Sequence, residues 1–142
     1  MRYKFAPALM VVAATWFSSV AAAAVIPFVS QLSGSQEVPA VQSAGKGQLQ
    51  ATLDTSTSQL RWTVTYSGLS GPVTAGHFHG PAGKMENAAV AIGFKAPLDS
   101  PLTGEALLTP SQMGELMDGK WYINLHTAMH PKGEIRGQVM PR

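Results

Sequence analysis

The sequence predicts an all-β fold, an antiparallel β-sandwich or Greek-key barrel with one short helix at about residues 109–118. Apolar residues alternate with polar ones in Gln48–Leu53, Gln59–Tyr66 and Lys120–Thr127, as expected for strands with one buried face. Segments rich in Gly, Pro, Asp and Ser separate these runs and indicate turns. Helical spacing occurs only in Thr109–Asp118. Several short strands with turns between them are typical of sandwiches and barrels.

The first half of the mature chain predicts a strand, a loop and a hairpin. Val25–Leu32 is apolar and β-prone, and an irregular loop rich in small residues follows it. Gln48–Leu53 and Gln59–Tyr66 flank the polar turn Asp54–Ser58. The two runs are therefore expected to pair as a β-hairpin.

The next segments predict three more strands and the helix. His77 and His79 lie in a strand, and two later strands are predicted at Ala88–Phe94, which is short and apolar enough to be buried, and at Leu102–Leu108. In the helix, Thr109 is a candidate N-cap, Pro110 takes the first helical position and Gly119 can end it. Its Met113 and Met117 are one turn apart and are expected to face the core.

The last predicted strands form a second hairpin or a tight corner. In Lys120–Thr127 the large apolar residues share one parity, which places Asn124 and His126 on the opposite face. The chain then turns through His130–Gly133, where Pro fixes φ and Gly accepts positive φ. It extends again over Glu134–Val139.

The N-terminal stretch, residues 1–24, has the pattern of a secretory signal peptide. Arg2 and Lys4 form a basic region, an almost uncharged apolar run follows, and Ala21–Ala24 offers a small-residue cleavage site. The apolar run is short for a retained membrane anchor. We therefore expect an exported, periplasmic or secreted protein whose mature domain, residues 25–142, has no membrane segment after cleavage.

Charge and composition exclude several classes of function. Without Arg2 and Lys4 the formal net charge of +2 falls to zero, so no basic surface for nucleic acid is expected. The chain has no Cys, which excludes thiolate chemistry, disulfides and cysteine-rich zinc sites. No nucleophile elbow, phosphate-binding glycine loop or paired-carboxylate motif is present.

The histidine pattern predicts a metal site. His77 and His79 are two residues apart on a strand, so their side chains leave the same face with Cα atoms roughly 6.6 Å apart. His126 is the natural third ligand because it too lies opposite large apolar residues. His130, at the turn, is a candidate fourth ligand. Imidazole ligands suit copper or zinc, and ligand type alone does not choose between them.

The histidines, Met129 and Arg136 also allow other interpretations. Two histidines on an exposed strand commonly have no function. Met129, beside His130, could favour Cu(I) or be an ordinary loop residue. Arg136 and Glu134 have the same parity and could form a rim beside the histidines. Arg136 could guide a small anion to the metal, or it could have a structural role in binding a carboxylate or a loop carbonyl.

Three blocks of the sequence closely resemble the CHRD domain, first described in chordin and common in exported bacterial proteins. They are SGSQEVPAV, AGHFHGPAG and GKWYINLHTAMHPKGEIRGQV, and the resemblance runs from about Phe28 to Val139. It implies a β-rich module in which His77, His79, His126, Glu134 and Arg136 match motif positions. Other members usually carry a residue other than histidine at the position of His130, so the resemblance gives no support to a fourth ligand.

The resemblance implies a fold more firmly than a function. In animals the domain occurs in an extracellular regulator of growth-factor signalling. The histidine pattern with a nearby arginine is also similar, as an analogy of sites, to the copper site of copper-zinc superoxide dismutases, without the zinc site or the disulfide. We therefore expect one copper ion and, as the first reaction to assay, dismutation of superoxide. The alternatives are copper buffering or delivery without catalysis, and a metal-free extracellular interaction module.

Overall fold

The computed structural model describes residues 23–142. Residues 1–22, which hold most of the expected signal peptide at 1–24, lie outside the described residues, and that assignment stays a prediction. From Val25 onward the chain forms strands β1 (Val25–Ser33), β2 (Lys46–Asp54), β3 (Gln59–Ser67), β4 (Val73–His79), β5 (Val90–Gly93), β6 (Leu102–Leu107), β7 (Trp121–Thr127) and β8 (Ile135–Pro141), a 3-10 turn at Gly34–Gln36 after β1, and helix α1 (Pro110–Met117) between β6 and β7.

The eight strands form one antiparallel sheet in the order β5-β4-β7-β8-β1-β2-β3-β6. The sheet curls so that its two ends meet: Trp62 on β3 packs edge-to-face on Phe78 of β4, with ring centroids 5.2 Å apart, and against Phe94 at 5.3 Å. Contacts of this kind stabilise a core beyond the area that they bury. The result is a nearly closed barrel or sandwich with one short helix, which confirms the predicted fold class.

The core lies inside the curl and is built by the predicted alternation. Asp54 pairs with Gln59 at the end of the β2–β3 hairpin, which confirms that pairing. Each of these strands points every second side chain inward, because successive Cβ atoms leave opposite faces. The inward-pointing buried hydrophobic residues of β2, β3 and β7 are Leu49, Ala51, Leu53, Leu60, Trp62, Val64, Trp121, Ile123 and Leu125.

Helix α1 begins and ends as its sequence predicts. The Thr109 side chain accepts a hydrogen bond from the Gln112 backbone, and the Gln112 side chain accepts one from the Thr109 backbone, which completes a capping box. Leu116 is fully buried and Met113 packs against the core, whereas Met117 is 42% exposed. The expectation that Met117 faces the core is therefore wrong, because Leu116 takes the inward position.

The apolar run Ala88–Phe94 is not the buried strand that its composition suggested. Only Val90–Gly93 is extended, and it pairs on one side with β4 and forms an edge of the sheet. Val90 is 52% exposed. The Phe94 ring, which follows the strand, supplies the contact with the core.

The outer face of β7 is polar and also buried. All seven residues of β7 are buried, including the outward-pointing Tyr122, Asn124 and His126. Loop residues from 80–89 cover part of this face through hydrogen bonds that Arg136 and Gln138 donate to them. The described part of the chain contains no helix long and apolar enough to span a membrane.

Candidate metal centre

Strand register brings three of the four histidines to one place. Across β4 and β7, His77 lies opposite Asn124, and Ala75 lies opposite His126. Since residues two apart share a face, His77, His79 and His126 all project from the outer face of the sheet. One ring nitrogen from each of the three lies within 4.8 Å of the others. This is the group that the sequence predicted.

The contacts at the centre of the group are close. The Nδ1 of His77 is 3.1 Å from the Nε2 of His126. The Oδ1 of Asn124 is 3.0 Å from the Nε2 of His126 and 3.0 Å from the Nε2 of His79. Asn124 therefore occupies the space between the two buried rings.

Backbone carbonyls fix the other nitrogen of each buried ring. The Nδ1 of His79 lies 3.0 Å from the Ala88 carbonyl, and the Nδ1 of His126 lies 2.9 Å from the Pro131 carbonyl. A carbonyl only accepts, so each Nδ1 is assigned the proton that it donates. In a neutral ring the Nε2 then carries a lone pair directed at the centre. Metal-binding histidines usually have this arrangement.

With this assignment the Nε2 lone pairs of His79 and His126 both point towards the centre of the group. The Oδ1 of Asn124, which can only accept, faces the Nε2 lone pairs of His79 and His126, and such contacts gain nothing without a proton or cation between them. Burial, and then the charge of neighbouring histidines, lowers the pKa of His77; burial also lowers the pKa of His126, against the effect of the Pro131 carbonyl. These effects favour the neutral form of His77 and His126, and a histidine must be neutral to bind a metal.

His130 does not join this group. Its backbone N–H donates to the Thr127 carbonyl, and its own carbonyl accepts from Gly133, so the residue closes the turn between β7 and β8. His130 lines a cavity beside the group, together with Met129 and His79. The structure brings together three of the four predicted ligands and leaves His130 in the turn.

Arg136 does not form an exposed rim beside the histidines. It is 1% exposed, and its guanidinium donates to the carbonyls of Gly83 and Glu86 at 3.1 and 2.6 Å and to the Asn87 side chain at 2.9 Å. The rim position is therefore wrong, because the loop at 80–89 covers the guanidinium. These contacts support the structural alternative, in which Arg136 binds loop carbonyls.

A stack of three side chains connects Arg136 to the histidines. The His79 ring lies parallel to the Tyr122 ring, with centroids 4.7 Å apart. The Arg136 guanidinium covers the other ring face, 3.5 Å from the Tyr122 centroid. A buried cation over an aromatic face is a stabilising contact. The stack holds the His79 ring in its orientation.

Glu134 is buried as well, and it connects three loops. Its carboxylate accepts hydrogen bonds from the Ser43 side chain at 2.7 Å, from Ser70 through both backbone and side chain, and from the Thr127 side chain at 2.6 Å. Burial alone would raise the pKa of Glu134, but the hydrogen bonds from Ser70, Thr127 and Ser43 outweigh it and bring the pKa to about 2. Glu134 is thus an ionised structural anchor beside the turn that supplies the Pro131 carbonyl.

Two residues that matter here were not singled out from the sequence. Asn124 has the parity of His126, which was the only signal of its position. Glu37 lies in an irregular loop, where no pattern predicts which side chains are buried. Burial raises the pKa of Glu37 to about 7, against the opposing effects of Arg136 and Asn124.

Comparison with known proteins identifies the family and no nearer relative. The model of the CHRD domain matches residues 28–139, which is most of the chain. Searches of the curated proteins and of the solved structures found no match. The matched region contains His77, His79 and His126, and also Glu134 and Arg136. The chain belongs to the CHRD domain family.

Proposed function

We propose that this CHRD domain binds one copper ion through His77, His79 and His126 and that it acts outside the cytoplasm. The observation that carries the proposal is that one ring nitrogen from each of the three histidines lies within 4.8 Å of the others, with the Nδ1 atoms of His79 and His126 held by carbonyls. A cation at that point would give a common partner to the Nε2 atoms of His79 and His126 and the Oδ1 of Asn124, which otherwise face one another as acceptors. Export, to the periplasm or the cell exterior, rests on the signal-peptide pattern of residues 1–24.

Copper is preferred over zinc for two reasons. Among divalent first-row metals, copper binds a given nitrogen site most tightly. The described residues of the site also provide no carboxylate or thiolate within the histidine group. Competition between the two ions for the purified protein tests the choice, and a preference for zinc at equal free concentrations would contradict it.

Calorimetric titration with Cu(II) tests the binding itself. We expect one ion per chain, at least a hundredfold weaker binding in the double variant His77→Ala with His79→Ala, and unchanged binding in His130→Ala. The last variant is the matched control, since it removes a histidine from the same surface but from outside the group. Retention of full affinity by the double variant would support the metal-free interaction module instead.

Superoxide dismutation is the reaction to assay first. Bound copper would supply one-electron chemistry between Cu(II) and Cu(I), and His77 is the most accessible of the three ligands. Arg136 was the candidate guide for an anion, and its guanidinium is buried. We therefore expect any activity to show little of the salt dependence that electrostatic steering produces. If the activity is no greater than that of copper without the protein in the presence of a chelator, copper buffering or delivery remains as the function.

A further inference from the structure

Strand register places Asn124 in the middle of the histidine group. On β7 it lies two residues before His126, and across the β4–β7 pair it lies opposite His77. Residues in these positions project from the same face of the sheet. Asn124 is 3% exposed, so its side chain is enclosed by the surrounding groups.

The side-chain oxygen of Asn124 has the distances expected of a ligand atom. Its Oδ1 is 3.0 Å from the Nε2 of His126 and 3.0 Å from the Nε2 of His79. The Nε2 of His126 is in turn 3.1 Å from the Nδ1 of His77. Atoms that bind one ion through bonds of about 2 Å lie roughly 3–3.4 Å from their neighbours. The oxygen therefore fits the same coordination sphere as the three ring nitrogens.

Glu37 and Gly133 indicate which end of the amide faces the histidines. Burial raises the pKa of Glu37, and Arg136 and then a hydrogen bond from the Asn124 side chain act to lower it. The Nδ2 of Asn124 also lies beside Gly133, where an added Cβ would come within 2.7 Å of it. Because the donor end of the amide is directed to Glu37, the acceptor end, Oδ1, is directed to the imidazoles.

An oxygen ligand affects which oxidation state of copper the site favours. Carbonyl oxygen is a hard ligand, and sets of nitrogen and oxygen ligands are typical of Cu(II). Cu(I) instead prefers soft sulfur ligands. An amide oxygen added to three imidazoles therefore strengthens the binding of Cu(II) with little effect on the binding of Cu(I).

We propose that the Oδ1 of Asn124 is the fourth copper ligand and that it makes the site favour Cu(II) over Cu(I). The inference rests on the proposed copper site and assigns the fourth position that His130 does not fill. A residue that only orients the imidazole rings would affect the binding of both oxidation states equally, so the two roles of Asn124 can be separated by experiment.

Isotope labelling tests the bond directly, because Asn87 is the only other asparagine in the sequence. Protein made with asparagine labelled with carbon-13 at the side-chain carbonyl is loaded with one Cu(II) and studied by electron-nuclear double resonance. We expect an isotropic carbon-13 coupling, which requires a bond to copper. The coupling should persist in Asn87→Asp, the matched control, which removes the other label and keeps the oxygen that accepts from Arg136.

The variant Asn124→Leu tests the preference for Cu(II), since it removes the oxygen and keeps a side chain of similar size. We expect Cu(II) to bind about tenfold more weakly, at the lower end of what changes around a metal site cost, and Cu(I) binding to stay unchanged. The copper reduction potential should then rise by about 59 mV, which is a tenfold change for one electron. Thermal unfolding of the metal-free variant shows whether it has folded.

Failure of this inference can be distinguished from failure of the proposed function. If one Cu(II) binds through three nitrogens without isotropic carbon-13 coupling, Asn124 is not a ligand and the copper site still stands. The same conclusion follows if a folded Asn124→Leu binds Cu(II) and Cu(I) as the wild type does, or binds both more weakly by the same factor. If the protein does not bind copper one to one, the proposed site and its fourth ligand are both wrong.

Discussion

The Nδ1 of His77 lies 3.1 Å from the Nε2 of His126, although 49 positions separate the two residues in the chain. The antiparallel pairing of β4 with β7 creates this contact, and Asn124 separates His126 from His79 on the same face. The cluster is thus a consequence of register. A one-residue slip between these strands would turn the histidines to opposite faces.

Replacing Glu134 with Gln should remove much of the acid sensitivity of the fold. The pKa of Glu134 falls from the ordinary 4.5 to about 2 in the folded chain, so its stabilising effect is complete above pH 4.5 and is lost as the pH falls towards 2. The variant should be less stable than wild type by about 2 kcal/mol at pH 7 and nearly equal at pH 2. Urea unfolding across this range measures the difference, and a constant gap between the two proteins would contradict the prediction.

Glu37 should show the opposite dependence on pH. Its pKa rises from 4.5 to about 7 on folding, so the folded chain holds the proton more tightly, and stability is lost as the pH rises from 4.5 to 7. Glu37→Gln should therefore be more stable than wild type at pH 8, by about 2 kcal/mol, and similar at pH 4. Thermal unfolding at the two pH values measures this, with Glu105→Gln as the exposed control. An equal effect at both values would show that Glu37 does not titrate in this range.

Arg136 should matter for stability. Arg136→Lys keeps the charge but loses the planar set of donors that binds Gly83, Glu86 and Asn87, and we expect a cost of about 2 kcal/mol. Arg61→Lys is the control, because Arg61 is exposed and pairs only with Glu105, and it should cost less than about 1 kcal/mol. Chemical denaturation distinguishes the two. An Arg136→Lys protein of wild-type stability would contradict the structural role of the guanidinium.

Trp121 and Trp62 should be the main aromatic supports of the core. They are 0% and 6% exposed, and truncation of either to Ala should lower the free energy of unfolding by about 3–5 kcal/mol. Met129→Ala, at an exposed residue of the β7–β8 turn, should change it by about 0.5 kcal/mol or less. Denaturant titrations provide the comparison, provided that all the variants have the same m-value. A small loss for both tryptophans would contradict their place in the packed core.

Periodicity predicted much of this molecule because it records which face of a strand is buried. The β2–β3 hairpin, the capped helix and the shared face of His77, His79 and His126 all follow from side-chain alternation and local capping. The burial of Arg136 and Glu37 could not be predicted in this way, since it depends on where loops fold back over the sheet. For the same reason the sequence of Ala88–Phe94 does not show that this segment lies at an edge of the sheet. The sequence also does not show that the turn holding His130 keeps it away from the other three histidines.

The most direct test of the proposed site is electron paramagnetic resonance of the protein loaded with one Cu(II). The spectrum should show coupling to three imidazole nitrogens. One of the three should be lost in His126→Ala, and all three should remain in His130→Ala. An unchanged spectrum in the double variant His77→Ala with His79→Ala, or a wild-type spectrum matching aqueous copper, would contradict the assignment of this cluster as a copper site.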